Sequence, residues 1–372
     1  MLDDRLKLLA SQLVRYSCNI QKGEKLLIEA SNKVDEHFLA EIVKETYLAG
    51  GMPFVKISSS IVGRAMAMHT TEEREKAKCK YDYPQMEDMD AYISIGAGSS
   101  YESSDVPKAM HDLILKHYIE PVHFDSRVRR TKWVILLYPT QLAAQQAKMS
   151  TEAFEDFYLD VCTLDYAKMD KAMDPLAELM KKTDKVRIVA PGTDLTFSIK
   201  GIGAVKCSGR CNIPDGEVYS APVKDSVNGT ITYNIPVMSD NGKEHNNIVL
   251  TFKDGKIIDA KSDSEEDINE IFNTDDGARY VGEFAIGVNP FIEKPMKEIL
   301  YDEKIKGSIH FTPGCCYDDC DNGNKSAVHW DLIQIQTKQY GGGEIYFDDV
   351  LIRKDGRFVI DELMGLNPEN LI

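Results

Sequence analysis

The order of apolar and amphipathic segments changes near residue 183, and this change constrains the fold more than any single motif. Before it, apolar runs of strand length alternate with helical stretches. The runs are residues 25–30, 53–58, 91–97 and 132–139, and the helical stretches include residues 4–16, 35–49, 151–162 and 166–182. Such alternation is typical of a largely parallel sheet covered by helices on both faces. We therefore predict an α/β N-terminal domain over residues 1–183.

Beyond residue 183 the segments are shorter and follow one another closely. Strand-like runs at residues 185–190, 195–200, 229–234 and 248–252 are separated by turns, and Asp-Gly pairs at positions 254 and 355 are hairpin signals. We predict an α+β C-terminal domain, rich in antiparallel strands, over residues 184–372. Two domains also agree with the length of 372 residues, which exceeds the size at which one hydrophobic core stops growing.

Charge and composition exclude several classes of partner. With 44 basic and 60 acidic residues the formal net charge is −16, which disfavours nucleic acid because that partner requires clustered Lys and Arg. The longest apolar runs are of strand length, far below the roughly 20 residues that span a bilayer, so we expect no membrane segment. The N-terminal residues lack the features of a secretory signal and the eight cysteines suit reduced thiols, so we expect a cytoplasmic protein.

Common catalytic and metal-binding motifs give little direction. Cys207 with Cys211, and Cys316 with Cys320, have a C-x3-C spacing that some zinc sites use, although buried or incidental thiols are the favoured interpretation. The chain has no P-loop, no G-x-S-x-G nucleophile elbow and no H-E-x-x-H motif. The usual signatures of three common hydrolase and nucleotide chemistries are therefore missing.

The eight histidines divide by their surroundings. Five lie in the N-terminal half without a matching set of acids and are predicted to be structural or surface residues: His37, His69, His111, His117 and His123. His245 lies in a polar turn and is predicted to be exposed to solvent. His310 and His329 remain as candidate ligands.

The segment KSAVHWDLIQIQ brings a histidine and a carboxylate together. We predict that it is a strand, so that His329 and Asp331 point to the same side by the two-residue period. This side continues into Ile333 and Ile335, an apolar environment in which a cation or a partner must compensate the charge. A metal ion and a plain hydrogen bond between the two residues both meet that requirement, and the segment alone does not decide between them.

Three further polar residues lie in strand-like or small-residue segments: His310 in GSIHFTPG, Glu217 in PDGEVYSAP and Glu283 in VGEFAIGVNP. One glutamate in such a run is more often an edge-strand residue facing water. Two glutamates together with two histidines and an aspartate favour a single hydrated metal site. Oxygen and nitrogen ligands without an obligate thiolate suit one or two divalent ions such as Zn, Co or Mn.

Taken together these segments resemble a known family. NIPDGEVYSAPVKDSVNGTI, GEFAIGVNP, YDEKIKGSIHFTPGCCY and KSAVHWD are similar, in this order, to motifs of the thermophilic metallo-aminopeptidases, peptidase family M29, which includes aminopeptidases T and S. The resemblance extends over nearly the whole chain. It implies a metal-dependent aminopeptidase that removes N-terminal residues from peptide substrates by means of a dinuclear metal-activated water.

The resemblance also implies roles for individual residues. Two divalent metal ions would be bound in the C-terminal domain by Glu217, Glu283, Glu303, His310, His329 and Asp331. Glu283 is the best candidate to bridge the ions, and Tyr317 would stabilise the oxyanion. Either Glu217 or Glu303 would act as the general base, although Glu303 in isolation would be interpreted as a surface acid. A homodimer is implied as well.

Two other hypotheses compete with the peptidase. His310, His329 and Asp331 form a two-histidine, one-carboxylate set of the kind that binds a single Fe(II) in oxygenases, and a ring-cleaving dioxygenase resembles this family in fold. A mononuclear iron site does not need Glu217 and Glu283, so these two glutamates favour the dinuclear peptidase. A non-enzymatic metal-binding module would leave the whole set of residues without a use.

Overall fold

The computed structural model describes residues 2–98, 103–239 and 242–372. Contacts divide the chain into two compact units, one formed by Met1–Thr163 with Gly209–Pro214 and the other by Leu164–Ser208 with Asp215–Ile372. In this division the helix Tyr166–Lys182, which the sequence analysis assigns to the N-terminal domain, belongs to the second unit. The domain boundary at residue 183 stays a prediction.

The first unit consists of a parallel sheet and helices. Its strands before residue 164 are β1 (Lys25–Ser31), β2 (Met52–Ser58), β3 (Ala91–Gly96) and β4 (Lys132–Leu137). Its helices are α1 (Asp4–Gln12), α2 (Glu36–Leu48), α3 (Ser60–Met68), α4 (Glu72–Glu87), α5 (Lys108–Ile114), α6 (Gln141–Gln146) and α7 (Thr151–Cys162), and π-helical turns extend α1 over Leu13–Ser17 and α5 over Leu115–Val128. All pairs in the sheet are parallel, which confirms the predicted α/β class.

The second unit contains most of the strands. Its helices are α8 (Tyr166–Lys182), α9 (Glu265–Phe272), α10 (Ile299–Asp302) and α11 (Pro368–Leu371), with 3₁₀ turns at Asp318–Cys320, Lys338–Tyr340 and Asp361–Leu366. The strands that follow β4 are β5 (Lys185–Ala190), β6 (Thr193–Ser198), β7 (Val205–Cys207), β8 (Asn212–Ile213), β9 (Glu217–Ser220), β10 (Asn228–Thr232), β11 (Val237–Met238), β12 (Glu244–His245), β13 (Val249–Lys253), β14 (Lys256–Lys261), β15 (Val281–Gly287), β16 (Ser308–Pro313), β17 (Ile333–Ile335), β18 (Glu344–Phe347), β19 (Val350–Lys354) and β20 (Arg357–Phe358).

The strands of the second unit form antiparallel sheets. One has eight strands in the order β14-β13-β10-β6-β5-β18-β19-β20, another has five in the order β17-β16-β15-β9-β7, and β11 pairs with β12. The short strand β8 instead joins the parallel sheet of the first unit, whose order is β2-β1-β3-β4-β8. The antiparallel sheets confirm the α+β class. The pairing of β8 with the first sheet was not predicted, because a two-residue strand leaves no periodic pattern.

Aromatic rings pack the two larger sheets of the second unit against each other. The ring of Phe197 on β6 lies 5.0 Å from the rings of both Phe284 on β15 and Phe311 on β16, measured between centroids. Side chains alternate along a strand, so Glu283 and His310, the neighbours of these phenylalanines, lie on the opposite face of the five-stranded sheet. Burial of the phenylalanine face thus fixes the register of the strands, and this register places the polar side chains on the other face.

Among the described residues, none of the helices combines the length and the apolar composition that crossing a membrane would require.

Candidate metal centre

Three adjacent strands of the five-stranded sheet place candidate ligands side by side. Glu217 begins β9 and pairs with Gly287, at the end of β15. On β15 Glu283 pairs with Thr312 of β16, and His310 of β16 pairs with Ala285. Glu217, Glu283 and His310 therefore lie on one face, and their side chains are 5% exposed or less.

Glu283 belongs to both of two groups of three possible metal ligands. One group is Glu217, Glu283 and His310, the other is Glu283, His329 and Asp331, and the ligand atoms within each group lie within 4.8 Å of one another. The Oε1 atom of Glu283 is 3.3 Å from Nε2 of His310, and its Oε2 atom is 3.3 Å from Nε2 of His329. The two oxygens of one carboxylate thus face two different histidines.

The segment with His329 and Asp331 differs from the sequence prediction in its secondary structure. The predicted strand is confined to Ile333–Ile335, and His329 forms only an isolated bridge with Gly314. The chain nevertheless brings Nε2 of His329 to 3.5 Å from Oδ1 of Asp331, as predicted. Trp330, which lies between them in the sequence, is buried, and its indole N–H donates a hydrogen bond to the Met238 carbonyl.

Hydrogen bonds orient the ligands of this second group. Nδ1 of His329 donates to the Cys315 carbonyl oxygen at 2.8 Å, which leaves Nε2 directed at Glu283 and Asp331. The Thr312 hydroxyl donates to Oδ1 of Asp331 at 2.7 Å. Such supporting contacts are typical of metal ligands, because they fix the tautomer and the direction of the donor atom.

Several buried ligand atoms have no hydrogen-bond partner in the described part of the chain. They are Oε2 of Glu217, Nδ1 of His310 and Nε2 of His329. Leaving buried polar atoms without a partner is costly, and all three residues belong to the groups of possible ligands. The oxygen and nitrogen atoms that converge here match the preference of divalent ions, so the residues fit one or two metals.

Burial and mutual attraction shift the pKa values of these groups. Burial raises the pKa of Glu217 to about 7. Burial alone would lower the pKa of His310, but the carboxylates of Glu217 and Glu283 outweigh it and raise that pKa to about 10. Burial opposes the charged form of His329 as well, but Asp331 and Glu283 raise its pKa to about 12. In the metal-free chain both imidazoles are therefore in the positively charged form, with a proton on each ring nitrogen, at neutral pH.

A buried lysine that the sequence did not predict lies at this centre. Nζ of Lys304 donates to Oε1 of Glu217 at 2.6 Å and to Oε1 of Glu303, and it lies 3.7 Å from Oδ1 of Asp215. The lysine side chain is 1% exposed. A lysine in a charged run such as DEKIKG predicts a solvated side chain, so nothing in the sequence marked it.

Two other predicted site residues, Glu303 and Tyr317, lie at the edge of the centre. Glu303 is outside both groups of three, its side chain is 12% exposed, and burial raises the pKa of its carboxyl. The Tyr317 ring packs against His329 at a tilt of 53°, with 4.8 Å between centroids, and is half-exposed. Their predicted roles, like those of the other site residues, stay predictions.

The prediction for His245 is wrong, because its side chain is fully buried and its ring packs edge-on against Trp330 at 5.2 Å. The burial of His245 depends on its contact with Trp330, which the polar sequence around His245 does not indicate. Neither C-x3-C pair forms a group of possible metal ligands among the described residues; Cys207 instead lies with Asp215 and Glu217.

Comparison with solved structures shows the fold. The chain superposes on AmpT from Thermus thermophilus with a TM-score of 0.77 at 18% identity, covering 96% of this chain and 99% of that one. It also superposes on 2,5-dihydroxypyridine dioxygenase from Pseudomonas putida KT2440 with a TM-score of 0.64 at 13% identity. The superposition covers 98% of this chain and 99% of that one. At these identities the likeness concerns the fold alone.

Comparison of sequences shows the family. Aminopeptidase AmpS of Bacillus subtilis is 25% identical, covering 89% of this chain and 88% of that protein. Aminopeptidase 2 of Geobacillus stearothermophilus is 26% identical, covering 94% of each. The sequence model of the family described as thermophilic metalloprotease (M29) matches residues 2–358. The resemblance seen in the motifs is confirmed, and the chain belongs to the M29 family of metalloproteases.

Proposed function

We propose that this protein removes N-terminal residues from peptides with a water molecule activated by two divalent metal ions. The observation that carries the proposal is the position of Glu283, whose two carboxylate oxygens each face one histidine, at 3.3 Å. A carboxylate placed in this way between two groups of ligands suits a bridge between paired ions, which in dinuclear sites lie about 3.5–4 Å apart.

The predicted class of enzyme, a metallo-aminopeptidase and hence a hydrolase, is confirmed by the family and by its aminopeptidase relatives. The number of metal ions, their identity and the roles of individual residues are our proposal. Glu217, Glu283 and His310 would hold one ion, and Glu283, His329 and Asp331 the other. Bound divalent ions such as Zn, Co or Mn would lower the pKa of a water molecule and polarise the scissile carbonyl.

Glu303 is our candidate for the general base. Its exclusion from both groups of three distinguishes it from Glu217, and the Lys304 hydrogen bond holds its carboxylate in place. Because burial raises its pKa, the carboxylate is better suited to take a proton from water and return it to the leaving amine near neutral pH. The Tyr317 hydroxyl, on a ring that packs against His329, would donate to the oxyanion.

A cavity of about 180 Å³ beside the second group gives room for a substrate side chain. Its wall includes His329 and Asp331 and continues over apolar residues: Val237, Met238, Ile299, Trp330 and Ile333. The wall also includes the charged residues Glu244, Lys297, Glu298 and Asp302, but more of its exposed surface is apolar than polar. We therefore propose that it takes an apolar side chain of the N-terminal residue.

The dioxygenase hypothesis is not favoured, although the fold is shared. A single Fe(II) site needs two histidines and one carboxylate. It gives no reason for Glu217 and Glu283 to be buried at 5% exposure or less in contact with His310.

We also propose a homodimer, which the family resemblance implies. A supporting observation is that β2, at the edge of the parallel sheet, and the following helix α3 expose apolar side chains. These are Phe54, Val55, Ile57, Ile61 and Val62. Exposed apolar side chains on an edge strand and the helix after it suit an association surface. The predicted cytoplasmic location stays a prediction.

Metal analysis combined with a peptidase assay tests the proposed function. Protein purified without chelator is expected to contain about two divalent ions per chain and to release the N-terminal residue from leucyl-p-nitroanilide and short peptides. EDTA should abolish the activity, and Zn, Co or Mn should restore it. One iron per chain, no peptide cleavage and oxygen uptake with aromatic diols would contradict the proposal.

Substitutions at two glutamates separate the ligand from the base. Glu303→Gln should retain both ions and lose about 10²–10⁴-fold in kcat, because proton transfer is removed while the ligands remain. Glu283→Gln should lose metal and activity together. Glu293→Gln, at an exposed glutamate of the same unit, is the matched control and should behave as wild type. Loss of metal from Glu303→Gln would instead identify Glu303 as a ligand.

Metal binding is expected to release protons. At pH 8 His310 and His329 are protonated in the metal-free chain, since their pKa values are about 10 and about 12, and a metal binds only the neutral imidazole. Release of about two protons should make the affinity rise with pH. Calorimetric titration of apo-protein with Zn²⁺ in buffers of different ionisation enthalpy measures this number. His37→Gln, at an exposed histidine, should leave it unchanged, and a binding heat independent of buffer would contradict the expectation.

A further inference from the structure

A third group of possible metal ligands lies next to the proposed centre and already contains a cation. Cys207, Asp215 and Glu217 have ligand atoms within 4.8 Å of one another. The Lys304 ammonium lies among them, 2.6 Å from Oε1 of Glu217 and 3.7 Å from Oδ1 of Asp215. Glu217 belongs both to this group and to the group with Glu283 and His310, so the two groups share one carboxylate.

The backbone holds Lys304 in this position from two sides. Its N–H donates to the Tyr301 carbonyl at the end of α10, and its own carbonyl accepts from the N–H of Asn289 at 3.0 Å. The Asn289 side chain in turn donates to the Asp215 carbonyl at 2.7 Å. Gly216, between Asp215 and Glu217, has a φ of +137°, and a Cβ atom there would lie 2.9 Å from the Asn289 side chain. The lysine and the acids it contacts are therefore parts of one packed unit.

The ammonium also determines which oxygen of Glu217 remains available. Oε1 accepts the lysine hydrogen bond, whereas Oε2 is buried without a hydrogen-bond partner and lies 3.5 Å from Nε2 of His310. A second hydrogen bond from the same nitrogen holds Glu303. One cation thus fixes a proposed ligand and the proposed general base relative to each other.

We propose that Lys304 is a built-in cation that fills a third cation position, formed by Cys207, Asp215 and Glu217, and so presents Glu217 to the metal centre through a single oxygen. This inference rests on the proposed function, because it assumes that metal ions bind at the neighbouring groups. It makes Lys304 a positioning residue: the lysine excludes a further divalent ion from the position next to Cys207 and limits the centre to two.

Cobalt provides a direct test, because Co²⁺ bound to a thiolate gives a charge-transfer absorption that oxygen and nitrogen ligands do not give. Wild-type protein saturated with Co²⁺ should contain two ions and lack this absorption. Lys304→Met removes the ammonium at nearly constant volume, and we expect it to bind one additional Co²⁺ and to show the thiolate absorption. The double variant Lys304→Met with Cys207→Ser should lose the absorption, and Lys304→Arg, which keeps a cation, should match wild type.

Each outcome decides a separate point. Wild-type protein without metal would contradict the proposed function itself. A wild type with two ions, together with a Lys304→Met variant that binds no third ion, would overturn only the inference about Lys304. If Lys304→Met folds only when Co²⁺ is present, the ion has replaced the ammonium as expected. A variant that stays unfolded in Co²⁺, or a wild type that already shows the thiolate absorption, would contradict the inference.

Discussion

Compensation of buried negative charge is the constraint on which the second unit depends. Five carboxylates surround one end of the five-stranded sheet, and none is more than 13% exposed: Asp215, Glu217, Glu283, Glu303 and Asp331. Removing a carboxylate from water is costly unless a cation or hydrogen bonds replace the solvent. Lys304 supplies one positive charge, and two protonated histidines supply the others in the metal-free chain. Divalent ions would take over from the histidine protons, which couples metal binding to the stability of this sheet.

The sheet makes this cluster possible because one of its faces packs against apolar side chains and the other holds the polar ones. Phe284 and Phe311 pack with Phe197 on one face and fix the strands in register. Because side chains alternate along a strand, Glu283 and His310 then lie on the other face, and their positions do not depend on the conformation of a loop. Sites built on strands are positioned more rigidly than sites built on loops, which suits a centre whose ligand atoms must converge within a few ångströms.

Much of this arrangement could be predicted from the sequence. The helices Thr151–Cys162 and Tyr166–Lys182 and the strand Lys185–Ala190 match the predicted ranges, because apolar periodicity determines such elements. The convergence of His329 with Asp331 was also predicted, although the segment is not a regular strand there. Lys304 and His245 could not be predicted, because their burial depends on tertiary neighbours, Glu217 in one case and Trp330 in the other. Polar sequence neighbours indicate an exposed side chain, and the burial of these two residues can be seen only in the folded structure.

The fold itself does not select the chemistry. A Thermus aminopeptidase and a Pseudomonas dioxygenase both superpose on this chain, so the assignment depends on the ligands and on membership of the M29 family. The central claim is that Glu283 lies between two metal ions. Anomalous diffraction from crystals grown with Zn²⁺, recorded on both sides of the zinc absorption edge, tests it most directly. Our account predicts two peaks per chain, about 3.5–4 Å apart, on either side of the Glu283 carboxylate. A single peak coordinated by His310, His329 and Asp331 would contradict it.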